Sequence, residues 1–181
     1  MHIFKWIDDL YQNAKRKKFE NELTHVKLAI ENAIIEGALD KVLYLVLEGM
    51  SLLFLMDSNY RRNIKDFKGS YVIKCEDGKI DVSAVFGKKR LIFGKIDAMT
   101  VKDSEVENPI SKVNFKNGKS MIEFLLSGDP DVLKGMLGNQ LSVSGNLNYL
   151  FKFVYMLMLI PGILGINGFQ KMIQEAAAAQ A

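Results

Sequence analysis

From Leu147 to Ile166 the chain carries Lys152 as its one charge. A run this apolar and close to bilayer-spanning length has to be hidden in lipid, under a partner or in the protein's own core. Pro161-Gly162 interrupts it, Asn146 and Asn148 sit at one end, and no basic cluster flanks either side, which argues against a membrane span. A helix capped by Asn146 and lining an internal apolar cavity suits the same residues better. Pro161 is expected to kink or end that helix, leaving Gly162 to Gly168 as a flexible flap over the cavity mouth. Lys152 should point outward or lie at the mouth, because an unpaired ammonium inside would be costly.

A second stretch raises the same problem. Val42, Leu43, Leu45, Val46, Leu47, Leu52, Leu53, Phe54 and Leu55 leave a helix from Asp40, its expected N-cap, to about Met56 without a polar face. Helices of that kind are buried on several sides. The nine methionines add unbranched, polarizable side chains that adapt to irregular ligands, although each one alone reads equally well as core. With 181 residues, 49% of them hydrophobic and 25% charged, one domain with appended elements is expected.

Charge narrows the partners. A net charge of +3 from 24 basic and 21 acidic residues lacks the concentrated basic face of a nucleic-acid binder. The runs Lys15-Arg16-Lys17-Lys18 and Lys88-Lys89-Arg90 read as solvated turns or helix ends, with weak attraction to anionic headgroups as the sharper reading. Cys75 is the single cysteine, so an internal disulfide is excluded and a reducing cytoplasm is expected. Met1 to Lys18 carries charges throughout and does not look like a signal peptide.

The remaining pattern places the elements. Ile3, Ile7 and Leu10 repeat at helical spacing, and Leu23, Val26, Ile30, Ala33 and Ile34 do so in a second helix expected to stop near Gly37. After Gly69 the period becomes two. Tyr71 to Lys74, the hairpin turn at Asp77-Gly78, and Ile80 to Phe86 form two strands. Gly87 to Arg90 reads as a turn, Leu91 to Met99 as a third strand, Lys102 to Asn108 as a loop, and Val113 and Phe115 as a fourth strand. Met121 to Leu126 is helical, Asp129-Pro130 should open a further helix, and Leu141 and Val143 make a fifth strand. The fold class is therefore α+β: a five-stranded, mainly antiparallel sheet covered by helices, with an N-terminal helical extension.

This order of elements resembles the sterol carrier protein type 2 family of lipid-binding domains. The match is best from Val113 to Val154. It includes Phe124-Leu125-Leu126-Ser127-Gly128, the helix Asp131 to Leu137, and Leu141-Ser142-Val143-Ser144-Gly145-Asn146 running into Leu147, Leu150 and Phe151. Gly145 suits the sharp turn before the cap. Asn139, or Gly138 with one residue inserted, stands where the family's pattern has its first glycine. The resemblance covers about Gly69 to Leu159. It implies a lipid, fatty acyl or sterol-like ligand held between sheet and helices, and carried or presented, often for another enzyme or pathway. Residues 1–57 are then an extension packed on the core, 58–169 the lipid-binding domain and 170–181 a frayed tail. A transient contact with a membrane surface and a homodimer are allowed, and nucleic acid is not expected as a partner.

Catalysis has little to work with. His2 and His25 lie in the N-terminal helices without an acid–base motif, Cys75 lacks an evident activating partner, and Glu105 and Glu107 read as a solvated acidic loop. No phosphate-cradling glycine loop appears, so neither an enzyme activity nor a cofactor or metal is expected. The ligand should contact Phe93, Val113 and Phe115 on the sheet, and Phe124, Leu125, Leu150, Phe153, Val154 and Leu157 on the helices. Leu150, Val154 and Leu157 are three or four residues apart and so share one helix face. A protein-interaction module or membrane-surface accessory protein, with the apolar helices covered by a partner, remains the alternative.

Overall fold

The computed structural model describes residues 2–36, 38–78, 80–91, 94–118, 120–121, 124, 130–166, 168, 171–172 and 175. The chain opens with one helix, α1 (His2–Ile35), where the sequence suggests two. Nothing between Tyr11 and Leu23 breaks it, since that stretch holds neither glycine nor proline. The basic run accordingly lies inside the helix, with Arg16 paired to Glu20 at 3.2 Å one turn on. Helix α2 (Leu39–Met56) follows, and Ala38 rather than Asp40 occupies its N-cap, without a side-chain hydrogen bond. Asp57 then caps the short α3 (Ser58–Arg61), its Oδ1 accepting from Asn59 N at 2.7 Å and Tyr60 N at 3.1 Å.

Among the described residues five strands form one sheet in the order β3-β2-β1-β4-β5. Strands β1 (Gly69–Cys75), β2 (Asp81–Leu91) and β3 (Gly94–Lys102) make the antiparallel meander. Strand β4 (Ser111–Phe115) pairs parallel to β1, and β5 (Leu141–Gly145) antiparallel to β4. The α+β class with a mainly antiparallel sheet therefore holds. The turn expected at Gly87 to Arg90 does not form: the pairing continues through Gly87 with Ala98, Lys88 with Asp97 and Arg90 with Lys95. Ion pairs of 2.8 Å from Lys88 to Asp66 and to Asp97 settle one of these charges in the strand. The third strand consequently starts at Gly94 rather than Leu91.

Register sorts the sheet into two unlike faces. Tyr71, Ile73, Val82, Ala84, Phe86, Met99, Val113, Phe115 and Leu141 fall on the core side and are buried. On the other side Lys74 meets Asp81 at 3.3 Å and Glu105 at 2.8 Å, and Glu105 meets Lys112 at 2.7 Å. That network ties the 103–110 loop to β1 and β4, so the polar face has its own cover.

Helix α2 lies on the core side. Leu43, Leu47, Met50 and Phe54 recur at three- and four-residue spacing and are at most 2% exposed. Val26, Ile30, Ala33 and Ile34 of α1 belong to the same apolar cluster on its far side. Helix α4 (Val132–Leu137) is capped by Asp131, which accepts from Lys134 N, so Pro130 precedes the helix instead of opening it.

The closing helix α5 (Leu147–Met158) starts as expected: Asn146 Oδ1 accepts from Asn148 N and Tyr149 N. Gly145 makes that start possible. Its φ is +96°, and a Cβ there would collide with the carbonyl of Ile110. Beyond Leu159 the flap expected from Gly162 to Gly168 is replaced, as far as Ile166, by packed chain. Pro161 sits in the first turn of a new short helix, α6 (Ile160–Ile163), where its missing N–H costs nothing. Ile160, Leu164 and Ile166 are buried, and Lys27 Nζ donates to Gly165 O at 2.8 Å.

Among the described residues no single helix is long and apolar enough to cross a membrane; α2 with the segment after it passes only as a pair bent by 99°.

Candidate functional site

An internal apolar space lies between the core face of β1, β4 and β5 and the inner face of α5. Alternation on strands and the i, i+4, i+7 spacing on the helix together aim its lining. Val113 and Phe115 project from β4, and Leu150, Phe153, Val154 and Leu157 from α5. Phe124, a helical residue, packs its ring 5.5 Å from Phe115 and closes one flank. These expected residues thus meet around one space. Phe93 and Leu125 lie outside the described residues.

The lining also includes residues that the sequence did not single out. Tyr71 and Ile73 come from β1, Leu141 from β5, Val132 from α4, Met121 from beside Phe124 and Leu43 from α2. The β5 contribution had a signal, since Leu141 alternates with Val143 and pairs with Phe115. The β1 contribution had none, because nothing in the sequence reports that β4 joins β1 in parallel.

Size is where the structure departs most from the expected deep cavity. The space measures about 30 Å³, room for a water-sized guest and far below the roughly 300–1,000 Å³ of a ligand pocket. Side chains have largely filled it: Phe153 and Leu150 are 1% exposed and Met121 likewise. Lys152 is exposed on the outer surface of α5, away from the lining.

Two tyrosines fasten α5 over this space. The Tyr60 hydroxyl donates to the carbonyl of Met156 at 2.9 Å, and the Tyr71 hydroxyl donates to that of Tyr149 at 3.1 Å. Burial pushes both phenols well above their ordinary range, with Tyr149 adding to the effect on Tyr71. The Tyr71 ring also stacks on Phe153, centroids 4.4 Å apart and planes 10° from parallel. With its hydroxyl engaged, Tyr71 presents mainly its ring to the space, while the Tyr60 ring packs on Phe54.

Nucleophilic chemistry finds no foothold at Cys75. The side chain is buried, and burial followed by the charge of Asp77 pushes its thiol up to about 11, so almost no thiolate exists at neutral pH. His25 is exposed on α1. No group of three or more His, Cys, Asp or Glu capable of holding a metal occurs among the described residues.

A wider groove of about 420 Å³ opens elsewhere, lined by Lys41, Tyr44, Leu45, Ile80, Asp81, Val82 and Asp103. Although larger, it is charged, and its Asp81 is already tied to Lys74. It does not suit an apolar guest, because Lys41, Asp81 and Asp103 would each lose water without gaining a partner.

No family model matches the chain, and no curated protein matches it. Solved structures that are similar to the chain include the following two. One is a conserved hypothetical protein of Thermus thermophilus, suggested in its description to be a sterol carrier protein, with 14% identity, 72% of this chain and 85% of that chain covered, and a TM-score of 0.37. The other is the sterol carrier protein domain 2 of Helicoverpa armigera, with 17% identity, 68% of this chain and 89% of that chain covered, and a TM-score of 0.42.

Proposed function

We propose that this chain takes up the apolar chain of a lipid between its sheet and α5, one ligand per protein, and carries or presents it unchanged. The observation that carries this reading is a space lined wholly by apolar and aromatic side chains, closed by a helix that is covered on one side only. Such a lining offers an acyl chain nothing to lose. Each methylene buried contributes roughly 0.8 kcal/mol, so about ten would contribute roughly 8 kcal/mol toward opening the space and ordering the ligand. Because the closed volume is small, uptake requires α5 to move away from β1 and β4.

Titration with a panel of fluorescent fatty acids and sterols tests the proposal, and saturable binding at one site per chain is the expected result. Folded protein that binds none of the panel would sink it. Leu157→Glu, which puts a charge into the lining, should abolish binding in a protein that still folds.

A second reading rests on the outer surface of α5 and α6. Phe151, Tyr155, Leu159 and Ile163 are exposed there, with Lys152 beside them, as on a helix that meets a membrane surface. Native mass spectrometry, which reports retained ligand and subunit number, together with flotation on vesicles separates the two readings.

A further inference from the structure

We propose that Tyr60 and Tyr71 form a two-point latch that holds α5 closed over the apolar space and sets how fast and how tightly that space fills. This inference rests on the lipid-binding reading of that space. The two accepting carbonyls, of Tyr149 and Met156, are about two helical turns apart and bracket Phe153 and Val154, which line the space between them. Met156 lies in the last turn of α5, where carbonyls lack the usual intrahelical donors, so the Tyr60 hydroxyl satisfies an otherwise short-changed acceptor.

The donors stand on parts of the molecule that have other reasons to stay in place. Tyr71 belongs to β1, which is paired on both edges. Tyr60 packs its ring 4.6 Å from that of Phe54, a residue fully buried in α2. Outward movement of α5 therefore breaks both hydroxyl contacts and takes Phe153 off the Tyr71 ring, while Tyr71 keeps Phe67 and Phe86 and Tyr60 keeps Phe54. The hydroxyls are turned to the α5 backbone in the closed form, so they oppose opening without reaching into the space. A merely structural hydrogen bond would stabilise the whole fold; a latch biases one equilibrium within it.

Tyr→Phe variants isolate the hydroxyls, since each ring keeps its place. In hydrogen exchange without ligand, Tyr60→Phe and Tyr71→Phe should each speed exchange of the α5 amides about fivefold relative to those of the sheet, the effect of one ordinary hydrogen bond. Stopped-flow uptake of a fluorescent fatty acid should accelerate, and affinity should rise by a similar factor, because only the closed state has been weakened. Tyr155→Phe, an exposed tyrosine of the same helix, is the control and should change neither. Equal loss of protection in sheet and α5, or unchanged α5 exchange, would overturn the latch even where the parent protein binds fatty acid. Faster α5 exchange in protein that binds no fatty acid would keep the latch and remove the lipid reading instead. Should Tyr60→Phe not fold, Tyr71→Phe, still stacked on Phe153, decides the same question.

Discussion

Helices α2 and α5 are both strongly apolar in sequence and meet opposite fates in the fold. Helix α2 is covered on several sides. Its Ser51 hydroxyl donates to Met99 O at 2.6 Å on β3, α1 lies behind it, and a Cβ at Gly49 would stand 3.2 Å from Val26 and 3.5 Å from Leu164. Helix α5 has one covered side only. Leu150, Phe153, Met156 and Leu157 are buried, whereas Phe151 and Tyr155 on the opposite side are 41% and 66% exposed. Apolar composition therefore does not distinguish a helix that builds the core from one that closes a site. The number of layers around it does, since a helix covered on one side can move without dismantling its neighbours.

Substitutions can break or sharpen that contrast. Phe54→Ala in α2 should cost the most, about 3–5 kcal/mol by chemical denaturation, because a fully buried ring is lost from a site packed on several sides. A cost below about 1 kcal/mol would mean that α2 is no more fixed than α5. Val154→Trp in α5 should be milder, about 1–3 kcal/mol of overpacking, because this half-buried residue borders the apolar space and the helix can give. The same variant should lose fatty-acid binding; a folded Trp variant that binds as the parent does would move the ligand elsewhere. Asn146→Ala removes the cap of α5 and should cost about 1 kcal/mol, read as a lower melting temperature with faster exchange in the first turn of α5.

The smallest effect belongs to the solvent face of the sheet. Lys112, then Lys74, hold the Glu105 carboxyl below the usual carboxylate range through their hydrogen bonds. Its contribution is therefore present above the unfolded-state pKa and is lost as pH falls through the lowered folded-state value. Glu105→Gln should melt slightly below the parent at neutral pH, and the difference should vanish in acid. Melts that differ as much in acid as at neutral pH would show that the loop is held by something other than these charges.

Much of the architecture was legible because it depends on local chemistry. Alternation at Tyr71 to Phe86, the Asp77-Gly78 turn and the Gly145-Asn146 junction each specify a conformation within a few residues. The expected lining on β4 and α5 converged for the same reason: parity on a strand and spacing on a helix fix direction. Where the sequence misled, a longer-range partner decided. Gly87 to Arg90 looks like a turn by composition, yet pairing with β3 carries the strand through it. Gly162 to Ile166 looks like a loose flap, yet it finds α1 and α2 to pack against.

Taken alone, the sequence determined that two apolar helices had to be hidden, that strands and helices combine in an α+β fold, and which residues of β4 and α5 share a side. These follow from periodicity, caps and turns, whose energetics act over one or two turns of chain. Only the tertiary structure decided that β1 joins β4 in parallel, that α2 is sealed by α1 and α6, and that the space beneath α5 is closed to about 30 Å³. Those outcomes depend on how side-chain volumes from distant segments fill a shared interior, and packing at that density is not written in any local pattern.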